Sequence, residues 1–142
     1  MVQAWVKNQE LSFKLYKNMQ SLYQQKIMDH YHFPRHKGTL SGPGTCQSSR
    51  ANPSCGDHVT IFIQRDGDRI LDARFSGTGC ILSLAAADIL LDMIIGGSYA
   101  SLSGLTVEQL REKIGIVIGL TRLRCIQLPL QALHAVANSI TG

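Results

Sequence analysis

The sequence predicts an α+β fold in which a pair of β-strands is followed by helices. The strand patterns lie before residue 76 of the 142-residue chain, and every pattern from residue 80 onward is helical. Because strands and helices do not alternate as βαβ units, we expect no parallel sheet. The length suits one ordinary domain. We therefore expect residues 1–142 to form a single domain, with a polar extension over 1–12 and the folded part over 13–140.

A helix is predicted over residues 13–32, where apolar residues recur at steps of three and four. Pro34 ends it, because proline cannot continue a helix without losing a hydrogen bond. A basic turn and a loop rich in glycine and proline follow. We assign Cys46 to that loop and expect it to have no role in the chemistry.

Two strands are predicted over residues 58–64 and 70–75, which are rich in β-branched and aromatic side chains. The turn between them contains Asp66, Gly67 and Asp68, a composition that is typical of a hairpin. Because a hairpin alone is only marginally stable, we expect helices to cover it.

Three helices are predicted after the hairpin. The first runs over residues 80–95, carries Asp88 and Asp92 one turn apart, and ends at two glycines. A capping pattern at Thr106 begins the second, which extends to about residue 113. The third runs over residues 122–139, and we expect Pro129 in the first turn of its ordered part, where a missing N–H costs least.

The charge distribution and the apolar pattern exclude several classes of protein. The net charge of +4 comes entirely from residues 1–40, and the rest of the chain is neutral, which argues against a nucleic-acid partner. The start of the chain has no continuous apolar stretch, and the longest uncharged tract contains proline, glutamine and asparagine. We therefore expect no signal peptide and no membrane span. In a cytoplasmic protein of this kind, the four cysteines would be reduced and available for metal binding or catalysis.

Two of the cysteines lie at turns that favour chemistry. Cys55 precedes Asp57 in a tight turn, so a thiolate and a carboxylate can point the same way, although a buried cysteine beside a turn aspartate fits the pattern equally well. Cys80 follows Gly77 and Gly79 and opens a helix, where free N–H groups and the helix dipole favour a thiolate. The flanking glycines favour a functional role over that of a core cysteine.

Cys125 follows Arg122 and Arg124, whose charges would favour its thiolate form, although solvated arginines on a turn also explain the pattern. No Cys-x-x-Cys motif is present, which excludes zinc-finger and ferredoxin patterns. Three thiolates and one carboxylate from separate junctions can still complete a tetrahedral site. Such ligands select zinc, copper(I) or an iron–sulfur cluster, and the chemistry alone does not choose between zinc and iron–sulfur.

Three histidines cluster at the end of the first predicted helix: His30, His32 and His36. We expect them to complement the helix dipole and to contact solvent rather than a metal. His58 lies on a strand, where its side chain points away from that of its neighbour Asp57. We assign a structural role to His134 on the last helix.

Four short segments together resemble the IscU/SufU/NifU family of iron–sulfur cluster assembly scaffolds. They occur in the family's order, and the resemblance covers the chain from about residue 15 to residue 137. The segments are Asp-His-Tyr-His-Phe-Pro-Arg at residues 29–35, Asn-Pro-Ser-Cys-Gly-Asp at 52–57, Gly-Thr-Gly-Cys-Ile-Leu-Ser-Leu-Ala-Ala-Ala at 77–87 and Arg-Leu-Arg-Cys at 122–125.

The resemblance implies a small antiparallel sheet of about three strands covered by helices. It also implies that Cys55, Asp57, Cys80 and Cys125 hold a metal or cluster, and that Cys125 and Cys55 are candidates to accept sulfur as a persulfide. The implied cofactors are a transient iron–sulfur cluster, expected as the 2Fe–2S type, and Zn²⁺ in the same site. The implied partners are a cysteine desulfurase and the apo-proteins or carriers that receive the cluster. We expect the basic segment within residues 1–40 to dock the desulfurase.

Three departures place the chain between subgroups of that family. Arg124 precedes Cys125, where IscU-like members carry histidine and SufU-like members carry a basic residue. Residues 119–123 replace the Leu-Pro-Pro-Val-Lys segment that binds a dedicated Hsp70-type chaperone, so we do not expect dependence on that chaperone. The insertion that SufU-like members carry before the last cysteine is missing. The leading interpretation is a cluster scaffold rather than an enzyme; the alternatives are a zinc-dependent sulfurtransferase of SufU type and a structural zinc module for protein interaction.

Overall fold

The computed structural model describes residues 11, 14, 22–53, 56–115 and 119–138, with only the backbone described for residues 120 and 121. Helix α1 covers residues 22–32 in this part of the chain and ends before Pro34, as predicted. The predicted polar extension over residues 1–12 lies almost wholly outside the described residues. The later elements are β1 (Thr45–Asn52), β2 (Asp57–Asp66), β3 (Arg69–Thr78), α2 (Ile81–Ile94), a 3-10 helix (Tyr99–Gly104), α3 (Val107–Ile114) and α4 (Leu120–Asn138).

The three strands form one antiparallel sheet in the order β1-β2-β3, which confirms the α+β fold. β2 and β3 are the predicted hairpin, and Gly67 in its turn has φ +59°, a left-handed conformation that glycine adopts without strain. Asp68 ties this turn to the 3-10 helix, because its side chain accepts hydrogen bonds from Ser98 Oγ and from the N–H of Ala100. The end of the hairpin is thus anchored to the helical layer.

β1 occupies residues that the sequence predicts as a loop. Apart from Thr45, its residues lack the β-branched and aromatic side chains that favour a strand, but β1 pairs with β2 along its whole length, so tertiary pairing overrides local preference. Cys46 is therefore a half-buried strand residue packed against the core, and not a loop residue. Its Sγ lies 3.7 Å from Tyr99 Oη.

The core lies between one face of the sheet and helices α2 and α4. The side chains of Val59, Ile61 and Ile63 on β2 are completely buried, as expected for the inner face of a strand that is covered on one side. α2 contacts β3, α3 and α4, so it is buried around most of its circumference. The sheet and α4 therefore hold the beginning of α2 in a fixed position.

The turn after α1 runs along the outer edge of β3. The N–H of Gly38 donates to Phe75 O, and the N–H of Phe75 donates to His36 O, each at 2.8 Å. This pairing fixes the backbone of His36 against the sheet. Arg35 and Lys37 on the same turn are exposed.

Most predicted helix boundaries are confirmed. α2 begins directly after Cys80 and ends before Gly96, and α3 opens with the reciprocal capping box of Thr106 and Gln109. The prediction for Pro129 is wrong, because it lies in the interior of α4 and not in the first turn. Proline removes one helical hydrogen bond, but its neighbours Leu128 and Leu130 are buried in the core, and this packing keeps the helix continuous.

In the described part of the chain, no helix is both long enough and apolar enough to cross a membrane.

Candidate metal and sulfur site

Three of the predicted ligands meet where the sheet joins the helical layer. Asp57 begins β2, and the antiparallel register puts the start of β2 beside the end of β3. Cys80 follows β3 and caps α2, while Cys125 lies in the first half of α4, which packs against α2. Cys55 lies outside the described residues, so its position relative to the other three stays a prediction.

The carboxylate of Asp57 is tied to the beginning of α2. Its Oδ2 accepts hydrogen bonds of 3.5 Å from the N–H of Cys80 and from Ser83 Oγ. The first N–H groups of a helix have no partner within the helix and carry a partial positive charge, so they attract a carboxylate. Gly79 permits this approach, because a Cβ at that position would lie only 3.3 Å from Asp57 Cγ.

The surroundings of Cys80 favour its thiolate. Its Sγ accepts a hydrogen bond from the N–H of Ser83 at 3.3 Å, and Ser83 Oγ lies 3.2 Å from the same sulfur. Burial acts to raise the pKa of the Cys80 thiol, but hydrogen bonds from Ser83, from Cys125 and from the N–H of Leu82 lower that pKa below its usual range. Because Cys80 is exposed, this thiolate is accessible to a reactant.

The surroundings of Cys125, in contrast to those of Cys80, disfavour its thiolate. Burial, a hydrogen bond with Cys80 and repulsion from the Cys80 charge raise the pKa of Cys125 to about 11. The expectation that Arg122 and Arg124 favour a Cys125 thiolate is therefore wrong for the metal-free protein. Both arginines are exposed, where solvent screens their charge. The two thiols thus titrate as a pair in which Cys80 ionises first, and a coordinated cation would remove the proton from both.

An open groove of about 760 Å³ lies beside the two cysteines. Most of its wall is apolar, and Ile81 at its rim is 42% exposed. The groove therefore gives a reactant or a polypeptide segment access to both sulfur atoms. Its lining comes from α1, from α2 and the two residues before it, and from α4: Gln24, Ile27, Met28, Tyr31, Gly79, Cys80, Ile81, Leu82, Arg122 and Cys125.

Two of the clustered histidines differ from the expectation. His30 Nδ1 lies 2.6 Å from Asp88 Oδ2, and His36 Nε2 lies 2.5 Å from Asp92 Oδ1. Both imidazoles therefore contact carboxylates of α2 instead of only the helix end and solvent. His32 is exposed, as expected.

The other two histidines form single hydrogen bonds. His58 is exposed, and its Nδ1 lies 3.1 Å from Thr78 Oγ1 on the neighbouring strand. His134 Nε2 donates to Leu105 O at 2.8 Å, which links α4 to the segment between the 3-10 helix and α3. This contact agrees with the structural role assigned to His134.

The metal-ligating atoms at the cysteine site suit a soft or borderline metal. Thiolates select zinc, copper(I) and iron–sulfur clusters, and a carboxylate adds an oxygen ligand that zinc accepts. Within the residues that the structure describes, the ligand atoms of Asp57, Cys80 and Cys125 do not all lie within 4.8 Å of one another. Closing a site around a single ion therefore requires some adjustment of these side chains.

Ser83 belongs to this site and was not predicted from the sequence. It is completely buried, and its hydroxyl lies within reach of both Cys80 Sγ and Asp57 Oδ2. It stands three residues after the N-cap residue Cys80. That spacing is the signal that could have identified it, because the side chain at this position commonly bonds back to the cap.

Residues 22–140 match a family described as the NifU-like N-terminal domain. The chain is 42% identical over 79 residues to the zinc-dependent sulfurtransferase SufU of Bacillus subtilis (strain 168), which covers 56% of this chain and 52% of that protein. It is 34% identical over 119 residues to the iron–sulfur cluster assembly scaffold protein IscU of Aquifex aeolicus (strain VF5), which covers 79% of this chain and 71% of that protein. The chain thus spans about half the length of the Bacillus protein.

A solved structure supports the fold. The N-terminal part of a nitrogen-fixing NifU-like protein from Brucella abortus matches with a TM-score of 0.63 at 17% identity, covering 80% of this chain and 90% of that one. At this level of identity the likeness concerns the fold alone.

Proposed function

Since this chain belongs to the family of NifU-like N-terminal domains, we propose that it is a scaffold on which an iron–sulfur cluster is assembled and from which the cluster passes to apo-proteins or carriers. The cluster is the cargo of such a protein, held transiently and of the 2Fe–2S type. Its proposed ligands are Cys55, Asp57, Cys80 and Cys125. The observation that supports this most is that the Cys80 and Cys125 thiols interact beside an open groove, with the Asp57 carboxylate next to Cys80.

The sulfur of the cluster is proposed to come from a cysteine desulfurase as a persulfide. A thiolate of the scaffold attacks the terminal sulfur of that persulfide; a new S–S bond forms, and the thiolate of the desulfurase leaves. Cys125 and Cys55 are the proposed acceptors. The lowered pKa of Cys80 adds a third candidate, because a thiolate and not a thiol performs this attack.

Anaerobic reconstitution tests the proposal. The chain is incubated with iron, cysteine and a desulfurase, and its iron and sulfide contents are measured together with the visible sulfur-to-iron absorption. We expect a cluster in the wild-type chain, its loss in Cys80→Ala and Cys125→Ala, and its retention in Cys46→Ala. Cys46 is the matched control because it lies in β1, packed against the core. A chain that binds no iron and sulfide under these conditions would contradict the scaffold function.

The alternative is a zinc-dependent sulfurtransferase. It is supported by the 42% identity to the Bacillus sulfurtransferase and by the arginine, in place of histidine, before Cys125. In this function Zn²⁺ would be held by the same four residues until one cysteine leaves it to accept sulfur. Tight zinc binding, no cluster and faster desulfurase turnover would favour this alternative.

A purely structural zinc module is the least supported function. Structural zinc sites are closed and fully coordinated, whereas Cys80 is exposed at the edge of a groove. Zinc that neither exchanges nor affects a desulfurase would favour it.

The location and the extent of the folded unit are also proposals. We propose that the protein is cytoplasmic, which cell fractionation tests. We propose a single folded unit over residues 13–140, and limited proteolysis that cuts within that range would contradict it.

A further inference from the structure

A second cluster of metal-ligating side chains lies on α2, away from the cysteines. Asp88 and Asp92 are one turn apart on this helix, and they contact His30 from α1 and His36 from the turn after α1. One ligand atom from each of His30, Asp88 and Asp92 lies within 4.8 Å of the other two. At 1.5 Å per residue, Asp88 is about 12 Å along the helix from Cys80, so the cluster is separate from the cysteine site.

Two carboxylates at this spacing need positive charge beside them. The side chain of Asp88 is completely buried, and a buried carboxylate without a partner is strongly destabilising. In the described part of the chain, no lysine or arginine forms an ion pair with Asp88 or Asp92. The positive charge of Lys26 interacts with the negative charge of Asp92, but its ammonium group donates its hydrogen bond to Lys113 O at 2.7 Å. Within the described residues, the Asp88 carboxylate contacts the His30 imidazole and the N–H of His36, and a cation bound between the imidazoles and the carboxylates would supply positive charge directly.

The backbone around the cluster holds these side chains in position. Asp88 Oδ1 accepts the N–H of His36 at 2.9 Å, while Oδ2 contacts His30 Nδ1 at 2.6 Å. His36 is itself fixed by the hydrogen bond that its carbonyl accepts from Phe75 on the edge of β3. Hydrogen bonds of this kind orient metal ligands and raise their affinity.

We propose that His30, Asp88 and Asp92 form a binding site for a divalent first-row transition ion, with His36, which contacts Asp92, joining as a fourth ligand after a movement of its side chain. Two imidazoles and two carboxylates are a ligand set that suits zinc and iron(II). The ion would replace the protons that bridge the histidine–aspartate pairs, and it would join α1, the following turn and α2. The proposal goes beyond the scaffold function and does not depend on it, because no cysteine takes part.

Cobalt(II) is the probe that distinguishes this site from the cysteine site. Cobalt bound by thiolates gives a strong near-ultraviolet sulfur-to-cobalt band, whereas cobalt bound by histidine and aspartate gives only weak visible bands. We expect the full chain to bind two cobalt ions, one of them without the sulfur band. We expect one cobalt ion to remain bound when Cys55, Cys80 and Cys125 are all replaced by serine.

Substitutions then test the ligands. Asp92→Asn changes an exposed side chain and His36→Gln a side chain that is only 14% exposed, and we expect each to weaken cobalt and zinc binding at this site by about tenfold or more. Asp29→Asn and His32→Gln are matched controls, because these residues are exposed on α1 outside the cluster, and they should leave the affinity unchanged. Circular dichroism checks that each variant is folded.

Two results would overturn the proposal. One is an Asp92→Asn affinity equal to that of Asp29→Asn; the other is a full chain in which every bound cobalt ion shows the sulfur band. Either would mean that the cluster is only a set of histidine–aspartate hydrogen bonds. If the serine variant does not fold, titration of the wild-type chain supplies the same comparison, because a second cobalt ion should bind without any further increase of the sulfur band.

Discussion

Ser83 Oγ lies 3.2 Å from Cys80 Sγ, in the first turn of the helix that Cys80 caps. The same hydroxyl lies 3.5 Å from Asp57 Oδ2, so one buried serine contacts both a thiol and a carboxylate of the candidate site. Burial opposes the ionisation of Cys80, and the hydrogen bond from the Ser83 side chain is the largest of the effects that nevertheless lower its pKa. The reactivity of Cys80 therefore depends on a residue that need not bind a metal itself.

We expect Ser83→Ala to raise the pKa of Cys80 in the metal-free protein. The loss of one hydrogen bond, worth about 1 kcal/mol, would move the midpoint of Cys80 alkylation to higher pH by about 0.7. Residue-resolved alkylation followed by mass spectrometry measures the midpoint, with Cys46 as the internal reference. An unchanged Cys80 profile would show that the serine hydroxyl does not stabilise the thiolate.

Removal of Cys80 should make Cys125 more acidic. Burial would remain in Cys80→Ala, but the hydrogen bond and the negative charge of Cys80 would be lost, so the pKa of Cys125 should fall from about 11. At any pH below that value a larger fraction of Cys125 is then thiolate, and its alkylation should be faster than in the wild type. Equal rates of Cys125 alkylation in the two proteins would refute the coupling.

Replacement of Gly77 and of Gly79 by alanine should have different effects on stability and on metal binding. A Cβ at Gly77 would lie 2.1 Å from His58 O, and φ there is +143°, so we expect Gly77→Ala to lower the free energy of unfolding by about 2 kcal/mol or more. At Gly79 the nearest atom is Asp57 Cγ at 3.3 Å, so Gly79→Ala should displace the carboxylate and weaken metal binding while the protein stays folded. Thermal denaturation and zinc titration separate the two effects, and equal stabilities would count against this account.

Asp57 is expected to keep the cluster labile. A carboxylate is a weaker ligand than a thiolate for a soft metal centre, so we expect the cluster reconstituted on Asp57→Ala to persist severalfold longer than on the wild type. The decay of visible absorption after addition of a chelator measures this, and Asp66→Ala at the exposed far end of β2 is the control. A cluster that decays faster in Asp57→Ala than in the wild type would contradict the hypothesis.

The basic turn after α1 is expected to help dock the desulfurase. Lys26, Arg35 and Lys37 belong to the basic segment that we expect to dock it, but the Lys26 ammonium is already bonded to Lys113 O, whereas Arg35 and Lys37 are exposed. We therefore expect Arg35→Glu with Lys37→Glu to slow association about tenfold at low salt and to reduce its salt dependence. Arg111→Glu on α3 is the control. Unchanged association and salt dependence would exclude this turn as the docking surface.

Local patterns in the sequence were sufficient for much of the fold. The alternation over β2 and β3, the turn at Gly67 and the capping box at Thr106 each depend on neighbours in the chain, and each is present in the structure. β1 and the interior position of Pro129 were not predictable in this way. Both depend on partners that are distant in sequence: β2 for the strand, and the core around α4 for the proline.

For the candidate site too, some features were predictable from the sequence and others depend on residues that are distant in the chain. The resemblance of four sequence segments to a known family implied Cys55, Asp57, Cys80 and Cys125 as ligands, which stays a prediction. The local pattern predicted that Cys80 opens a helix, because caps and turns are specified by adjacent residues. Only the tertiary structure decided that Cys80 is the more acidic thiol and Cys125 the less acidic one. The pKa of a thiol depends on burial and on charges a few ångströms away, and those neighbours come from other parts of the chain.

The histidine–aspartate cluster was only partly predictable from the sequence, for the same physical reason. The sequence indicated that Asp88 and Asp92 share one face of α2, since that follows from the helical period. Their contacts with His30 and His36 bring together residues more than fifty positions apart. Such contacts are set by how α1 and its exit turn pack on the sheet and on α2, which no local pattern encodes.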